Sequence, residues 1–217
     1  VTLKGNYSQA GNSFGNTSSF NLTLLFSGEN AQTITKSGGS FNANISVNKA
    51  SNSVSLLSYS LVATRNLTMT AGTLATGAYY LQIDQAYTQN GGSVTGDLRV
   101  GGTIAINGGS VASLTAIGAN SVNISQTGGT LTNLIFNFNG GVTKTLITNI
   151  TVEGNLTYTA GDYVYADVAG RVITLKGNYS QAGNSFGKSD NTYLTLCFSG
   201  GNAQTMTRSG GTFYANL

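Results

Sequence analysis

Self-similarity constrains this 217-residue chain more than any single motif. Residues 1–45 align without a gap with residues 173–217, an offset of 172, and 31 of the 45 pairs are identical. TLKGNYSQAGNSFG opens at Thr2 and again at Thr174, and the copies differ conservatively at apolar sites, as Ile34 and Met206 do. The second copy stops partway, which is how a window on a tandem array looks. Units of that kind bury a core only by stacking on their neighbours. The chain begins at Val1 with no signal peptide. The expectation is a removed leader or a piece of a longer polypeptide, with the internal repeat 1–45 and 173–217 inside one segment, 1–217.

A shorter theme runs inside the long one. GNYSQAGNSF (5–14), RNLTMTAGTL (65–74), QAYTQNGGSV (85–94), GNLTYTAGDY (154–163) and GNYSQAGNSF (177–186) share one grammar, with SVNISQTGGTL (121–131) a partial copy. A polar turn leads into an apolar–hydroxyl alternation, then a glycine turn, then an apolar residue. Neighbouring copies lie about 20 residues apart in places, a spacing typical of solenoids.

The local pattern is strand. FNANISVNK (41–49) puts Phe41, Ala43, Ile45 and Val47 on one face and asparagine or serine on the other. FNLTL (20–24), YLQI (80–83), SVNIS (121–125) and ITVEGNLTYT (150–159) alternate likewise, a period of two that marks half-buried strands. No segment sustains a period of 3.6. Gly-Gly pairs at 38–39, 91–92, 101–102, 108–109, 128–129, 140–141, 200–201 and 210–211 punctuate the strands as turns.

Two all-β architectures compete. A sandwich needs hairpins and usually some proline in loops or edges, whereas a parallel solenoid stacks each coil on the next and leaves little room for a residue without an N–H. Proline is absent here. The chain therefore reads as an all-β, parallel β-solenoid with glycine-rich turns. About 20 residues per coil gives on the order of ten rungs.

Runs such as LKGNYSQAGNSF, LTLLFSGENAQTIT, GGSFNANISVNKASNSVSLLS and RNLTMTAGTL resemble the tandem repeats of large secreted bacterial proteins related to filamentous-haemagglutinin-type adhesins. The resemblance covers most of the chain, most clearly 1–74 and 150–217. It implies a right-handed parallel β-solenoid, export, and an extracellular or cell-surface role, and it carries no catalytic motif.

Chemistry is sparse. Histidine is absent, and Cys197 is the lone cysteine, so the usual Ser-His-Asp and Cys-His systems and zinc sites have no ligands. Cys197 stands where the first copy has Leu25 and reads as a small hydrophobe filling a leucine site. Ten basic residues, scattered singly in a chain of net charge +3, form no stripe for nucleic acid and no basic amphipathic helix for a membrane. No apolar run reaches the length of a membrane helix.

The carboxylates are Glu29, Asp84, Asp97, Glu153, Asp162, Asp167 and Asp190. A polysaccharide hydrolase or lyase would need two of them about 5 to 9.5 Å apart. Asp84 and Asp97, with Arg99 beside them, are the candidate pair, and Asp162 and Asp167 flank the tyrosines Tyr163 and Tyr165. Isolated acids more often cap turns. The copies support that reading, since Glu29 becomes Gly201 and Ser18 becomes Asp190. GGSVTGD (91–97) is a poor match to a calcium repeat loop. Thr-x-Thr pairs, as at 33–35 and 68–70, are too unevenly spaced for an ice-binding array. Asn-x-Ser/Thr sequons, as at Asn6, Asn66 and Asn155, leave glycosylation allowed. Phe14, Phe26, Phe41, Tyr79, Phe136 and Phe198 occupy apolar positions and read as core stacks.

The functional expectation is thus a structural protein, not an enzyme: an extracellular filament or adhesin stalk without a cofactor or metal. Its partner is itself, by end-to-end stacking or covalent continuation, with surface glycans a further candidate partner. Unpaired rungs at the ends place an assembly edge at Val1, Leu3, Phe213 and Leu217.

Overall fold

The computed structural model describes residues 1–16, 22–56, 58–63, 65–188 and 194–217. Phe20 and Asn21 of the expected strand 20–24, and Asp190, lie outside them. Among the described residues there are 23 strands and no helix, joined in one hydrogen-bonded sheet whose pairings are all parallel.

The chain winds as a β-solenoid with three strands per coil. One coil runs Thr143–Leu146, Ile150–Val152, Leu156–Ala160. Directly above lie Tyr163–Ala166, Arg171–Leu175 and Tyr179–Gln181. Three faces result, here named first, second and third in that order. The pairings climb the first face from Thr2–Leu3 to Thr212–Phe213 in about ten coils, which at ~4.8 Å per rung gives a rod of roughly 50 Å. Coil length is uneven: partners lie 16 residues apart at Asp97 and Ser113 but 27 apart at Tyr7 and Ile34.

Parallel in-register stacking puts like residues on like residues. The third face carries Leu61, Leu81, Leu98, Leu114, Leu134 and Leu156 one above another, all buried. The second carries Val54, Leu74, Val94, Val111, Leu131, Val152 and Leu175. The first carries Leu24, Ile45, Leu67, Tyr87, Ile104, Ile124 and Leu146. Each fully buried large apolar side chain contributes about 1.5–3 kcal/mol of transfer free energy. These three inward stripes meet on the axis and form a continuous core.

Phe41, Ala43, Ile45 and Val47 are buried as the alternation expects, but Asn42 is buried too, because the strand begins only at Asn44 and Phe41 belongs to the third face. ITVEGNLTYT does not form one strand. It bends between Val152 and Leu156 from the second face to the third, with Gly154 so close to the coil beneath that a Cβ would meet Thr132 O at 2.9 Å. Glycine pairs set several such corners. A Cβ on Gly108 would stand 2.6 Å from Asn90 O, and Gly109 has a φ of 72°, in the left-handed region. The first glycine lets the coils approach and the second turns the chain.

The two long copies keep their own registers. Leu3 pairs with Phe26 as Leu175 does with Phe198, Tyr7 with Ile34 as Tyr179 with Met206, and Phe14 with Phe41 as Phe186 with Phe213. They do not occupy the same faces. Leu3 belongs to the first-face ladder through Phe26, Val47 and Met69. Leu175 belongs to the second, through Val152 and Leu131. Tyr7 is on the second face and Tyr179 on the third, above Leu156. The unit of 172 residues therefore advances about eight and a third coils, and each copy is stepped by one face.

Cys197 is exposed, which corrects its expected place as a core filler. Parity turns Leu194 and Leu196 inward and Cys197 outward, and Leu25 in the first copy faces outward too, half-covered by Ser46 above it.

Candidate functional site

Buried polar brackets hold the corners. In YSQ (7–9), YTQ (87–89) and YSQ (179–181) the tyrosine and glutamine both point inward, two residues apart. The Tyr7 hydroxyl donates to Gln9 Oε1 at 3.0 Å and Tyr179 to Gln181 at 2.9 Å, and Tyr87 donates to Gln89 likewise. Each glutamine Nε2 then donates to turn carbonyls: Gln9 to Asn12 O and Ser40 O, Gln89 to Gly91 O and Gly92 O, Gln181 to Asn184 O and Thr212 O. The three brackets stand at three different corners of the triangle, so the device does not depend on the face. Burial pushes the Tyr7 phenol up to about 12 and raises those of Tyr87 and Tyr179 further. The sequence reading did not single out these brackets; the parity of glutamine with tyrosine was the available signal.

Two lysines are buried in the same way. Lys49 continues the inward parity of Ile45 and Val47, and its Nζ donates to Gly28 O, Asn30 O (2.8 Å) and Gln32 Oε1 (2.8 Å). Lys144, flanked by Val142 and Leu146, donates to Ile117 O and Asn120 O at 2.9 Å each, and Phe138 lies beside it. Each ammonium satisfies carbonyls that the bend turns inward. Burial lowers both lysines, Lys144 to about 8. Asparagines form a further ladder outside. Asn133 Oδ1 accepts from the Asn155 N–H, Asn155 Oδ1 from Asn178, and Asn178 Oδ1 from Thr205.

The carboxylates are dispersed into structural pairs. Asp97 sits over Tyr80 in register, so the Cα of Asp84 is displaced from it by four residues of strand, about 13 Å. Asp84 accepts from Gln82 Nε2 at 2.8 Å, while Asp97 is paired with Arg99 at 2.8 Å and Arg99 lies 3.8 Å over the Tyr80 ring. Asp97 and Arg99 line a shallow outer recess of about 460 Å³ with Ser113, Thr115 and Asn137. Asp162 caps turns, accepting from the Gly141 N–H at 2.6 Å and from Asn184. Asp167 pairs with Arg171 at 2.7 Å, and this guanidinium holds its carboxyl below the usual range. Glu153 pairs with Lys176 of the coil above at 2.8 Å. Tyr163 and Tyr165 are half-buried on the outer side of their strand. No group of three acidic, cysteine or histidine side chains converges among the described residues.

The end rungs are the remaining candidates. Val1 and Leu3 lie on the lowest rung, where Val1 is 64% exposed and its ammonium donates to Thr23 O at 2.7 Å. Phe213 lies on the uppermost rung, and Leu217, 76% exposed, follows Asn216, which pairs with Thr195. The four residues expected at the assembly edge lie at the two ends of the rod, Val1 and Leu3 at the lower and Phe213 and Leu217 at the upper. Both ends carry a copy of one aromatic trio: Tyr7, Phe14 and Phe41 with centroids 5.3–5.6 Å apart, and Tyr179, Phe186 and Phe213 with centroids 5.3–5.7 Å apart. Of the expected core aromatics, Phe26, Phe41 and Phe136 are fully buried, while Phe14, Tyr79 and Phe198 pack against the core from its margin. No protein-family model, curated protein or solved structure matches the chain.

Proposed function

We propose that this β-solenoid repeat protein is a structural element, not an enzyme, whose coils stack into an extracellular filament or adhesin stalk. One observation carries the reading. The long unit reproduces its inter-coil registers, its Tyr–Gln bracket and its aromatic trio on a different face of the rod. A unit whose fold is indifferent to the face it starts on adds to a growing stack without a change of design. Main-chain hydrogen bonds, apolar ladders and asparagine ladders then supply cohesion along the axis.

The dispersal of the carboxylates supports the non-enzymatic part. Asp97 is engaged by Arg99, and Arg99 covers one face of Tyr80, which leaves no free acid–base pair in that recess. Electron microscopy of the purified protein tests the stacking role. Rods much longer than about 50 Å, of constant width, are expected; a field of discrete short particles at every concentration and salt condition overturns it.

A further inference from the structure

The repeat exposes at one end a set of acceptors that it fills in the interior. In the first copy, Gly28 O, Asn30 O and Gln32 Oε1 receive Lys49 Nζ from the coil above. Gln32 is fixed for this role, accepting from the Gly28 N–H and donating to Leu3 O and Gly5 O. The second copy builds the same corner. Gln204 accepts from the Gly200 N–H at 2.8 Å and donates to Leu175 O at 3.0 Å and Gly177 O at 2.6 Å. Gly200, Asn202 and Gln204 are the counterparts of Gly28, Asn30 and Gln32.

The surface around that corner is also ready for a strand. Ile34 is 3% exposed beneath Leu56, whereas its counterpart Met206 is 41% exposed. Phe26 is fully buried beneath Val47, whereas Phe198 is only partly buried. Asn216 already pairs with Thr195 as Asn44 pairs with Thr23, so the next rung is begun in the first copy's register.

We propose that the upper edge at Gly200–Gln204 is an ammonium-reading site for a lysine-bearing strand of a further repeat unit, equivalent to Ser46–Leu56. Its valine covers Phe198, its lysine enters the carbonyl cradle two residues on, and its leucine covers Met206. The lower edge of a second copy does not offer this group. Lys4 has the outward parity of Lys176, which reaches the outer carboxylate of Glu153 and not the core. A stack made simply by setting one copy on another therefore leaves the cradle without its cation, and the site selects a particular strand over generic edge pairing. The inference rests on the stacking reading only in taking the upper edge as a binding surface.

The test is titration of the whole protein with the synthetic peptide SVNKASNSVSL (46–56), followed by amide chemical shifts in NMR. Saturable shifts confined to the uppermost rung, including Gly200 and Gln204, are expected. The Lys49→Met peptide keeps length and apolarity but lacks the ammonium. It should bind at least about tenfold more weakly, because the lost hydrogen bonds are charge-assisted. Equal binding by both peptides overturns the ammonium site and leaves strand addition at this edge intact. Binding by neither, with long rods still seen by microscopy, overturns the site while the stacking role stands; binding by neither and no rods removes both.

Discussion

Leu3 and Leu175 hold the same place in the repeated sequence but stand on adjacent faces of the rod, one beneath Phe26 in the first-face ladder and the other above Val152 in the second-face ladder. The unit is thus not a whole number of coils. Two units in tandem, 1–172 followed by 1–217, should carry any tag inserted at one position as two marks. These should be rotated by about 120° about the axis and separated by roughly 40 Å along it. Averaged electron-microscope images check this, and marks aligned on one side count against the three-face step.

Tyr158 and Tyr179 lie on neighbouring third-face strands, two positions out of register, with opposite hydrogen bonding. Tyr179 donates to Gln181, whereas position 160 is alanine and the buried Tyr158 hydroxyl finds no partner among the described residues. Tyr179→Phe should cost about 1–2 kcal/mol, while Tyr158→Phe should be neutral or stabilising. Denaturant melts of the two variants give the comparison, and equal losses would contradict the bracket.

Stability should pass through a maximum near pH 10. Lys144 is held down to about 8 from 10.5, so between these values the unfolded chain binds more protons and stability rises with pH. Lys49 adds to the rise, since it too is lowered. Below about pH 8 both states of Lys144 are protonated and its contribution is flat. Above the ordinary phenol value of 10.0 the unfolded tyrosines ionise while Tyr87 and Tyr179 resist, so stability falls. Lys144→Met should flatten the rise and spare the fall, as read from melting temperature against pH.

Gly109→Ala should destabilise by about 2 kcal/mol or more, because the left-handed backbone and the coil beneath both oppose a Cβ. Gly201→Ala meets nothing within 4 Å and should change stability by less than about 0.5 kcal/mol. Chemical denaturation of both distinguishes a glycine that shapes a corner from one that merely occupies it.

Asp97→Asn breaks a half-exposed ion pair and should cost no more than about 1 kcal/mol. Incubation of the unaltered protein with plant and bacterial polysaccharides should release no new reducing ends. Cleavage that Asp97→Asn abolishes would reinstate the outer recess as a catalytic site.

The strand content, the parallel stack and the register of the repeat were legible because period-two alternation, glycine pairs and self-similarity are local signals. Parity could have carried the reading further. Lys49 follows Ile45 and Val47 inward, and Gln89 follows Tyr87, but side-chain polarity argued the other way. Burial won because each polar head meets carbonyls that a tight corner directs inward, which no sequence window displays.

What the sequence determined by itself is the kind of contact: residue over like residue, in parallel ladders, with polar outer positions and glycine corners. What only the tertiary structure decided is where each ladder runs. Coil length is a sum over three strands and three corners, so a few residues gained or lost at any corner shift everything after them by a fraction of a circuit. The rotation of one copy against the other and the separation of Asp84 from Asp97 both follow from that accumulated length.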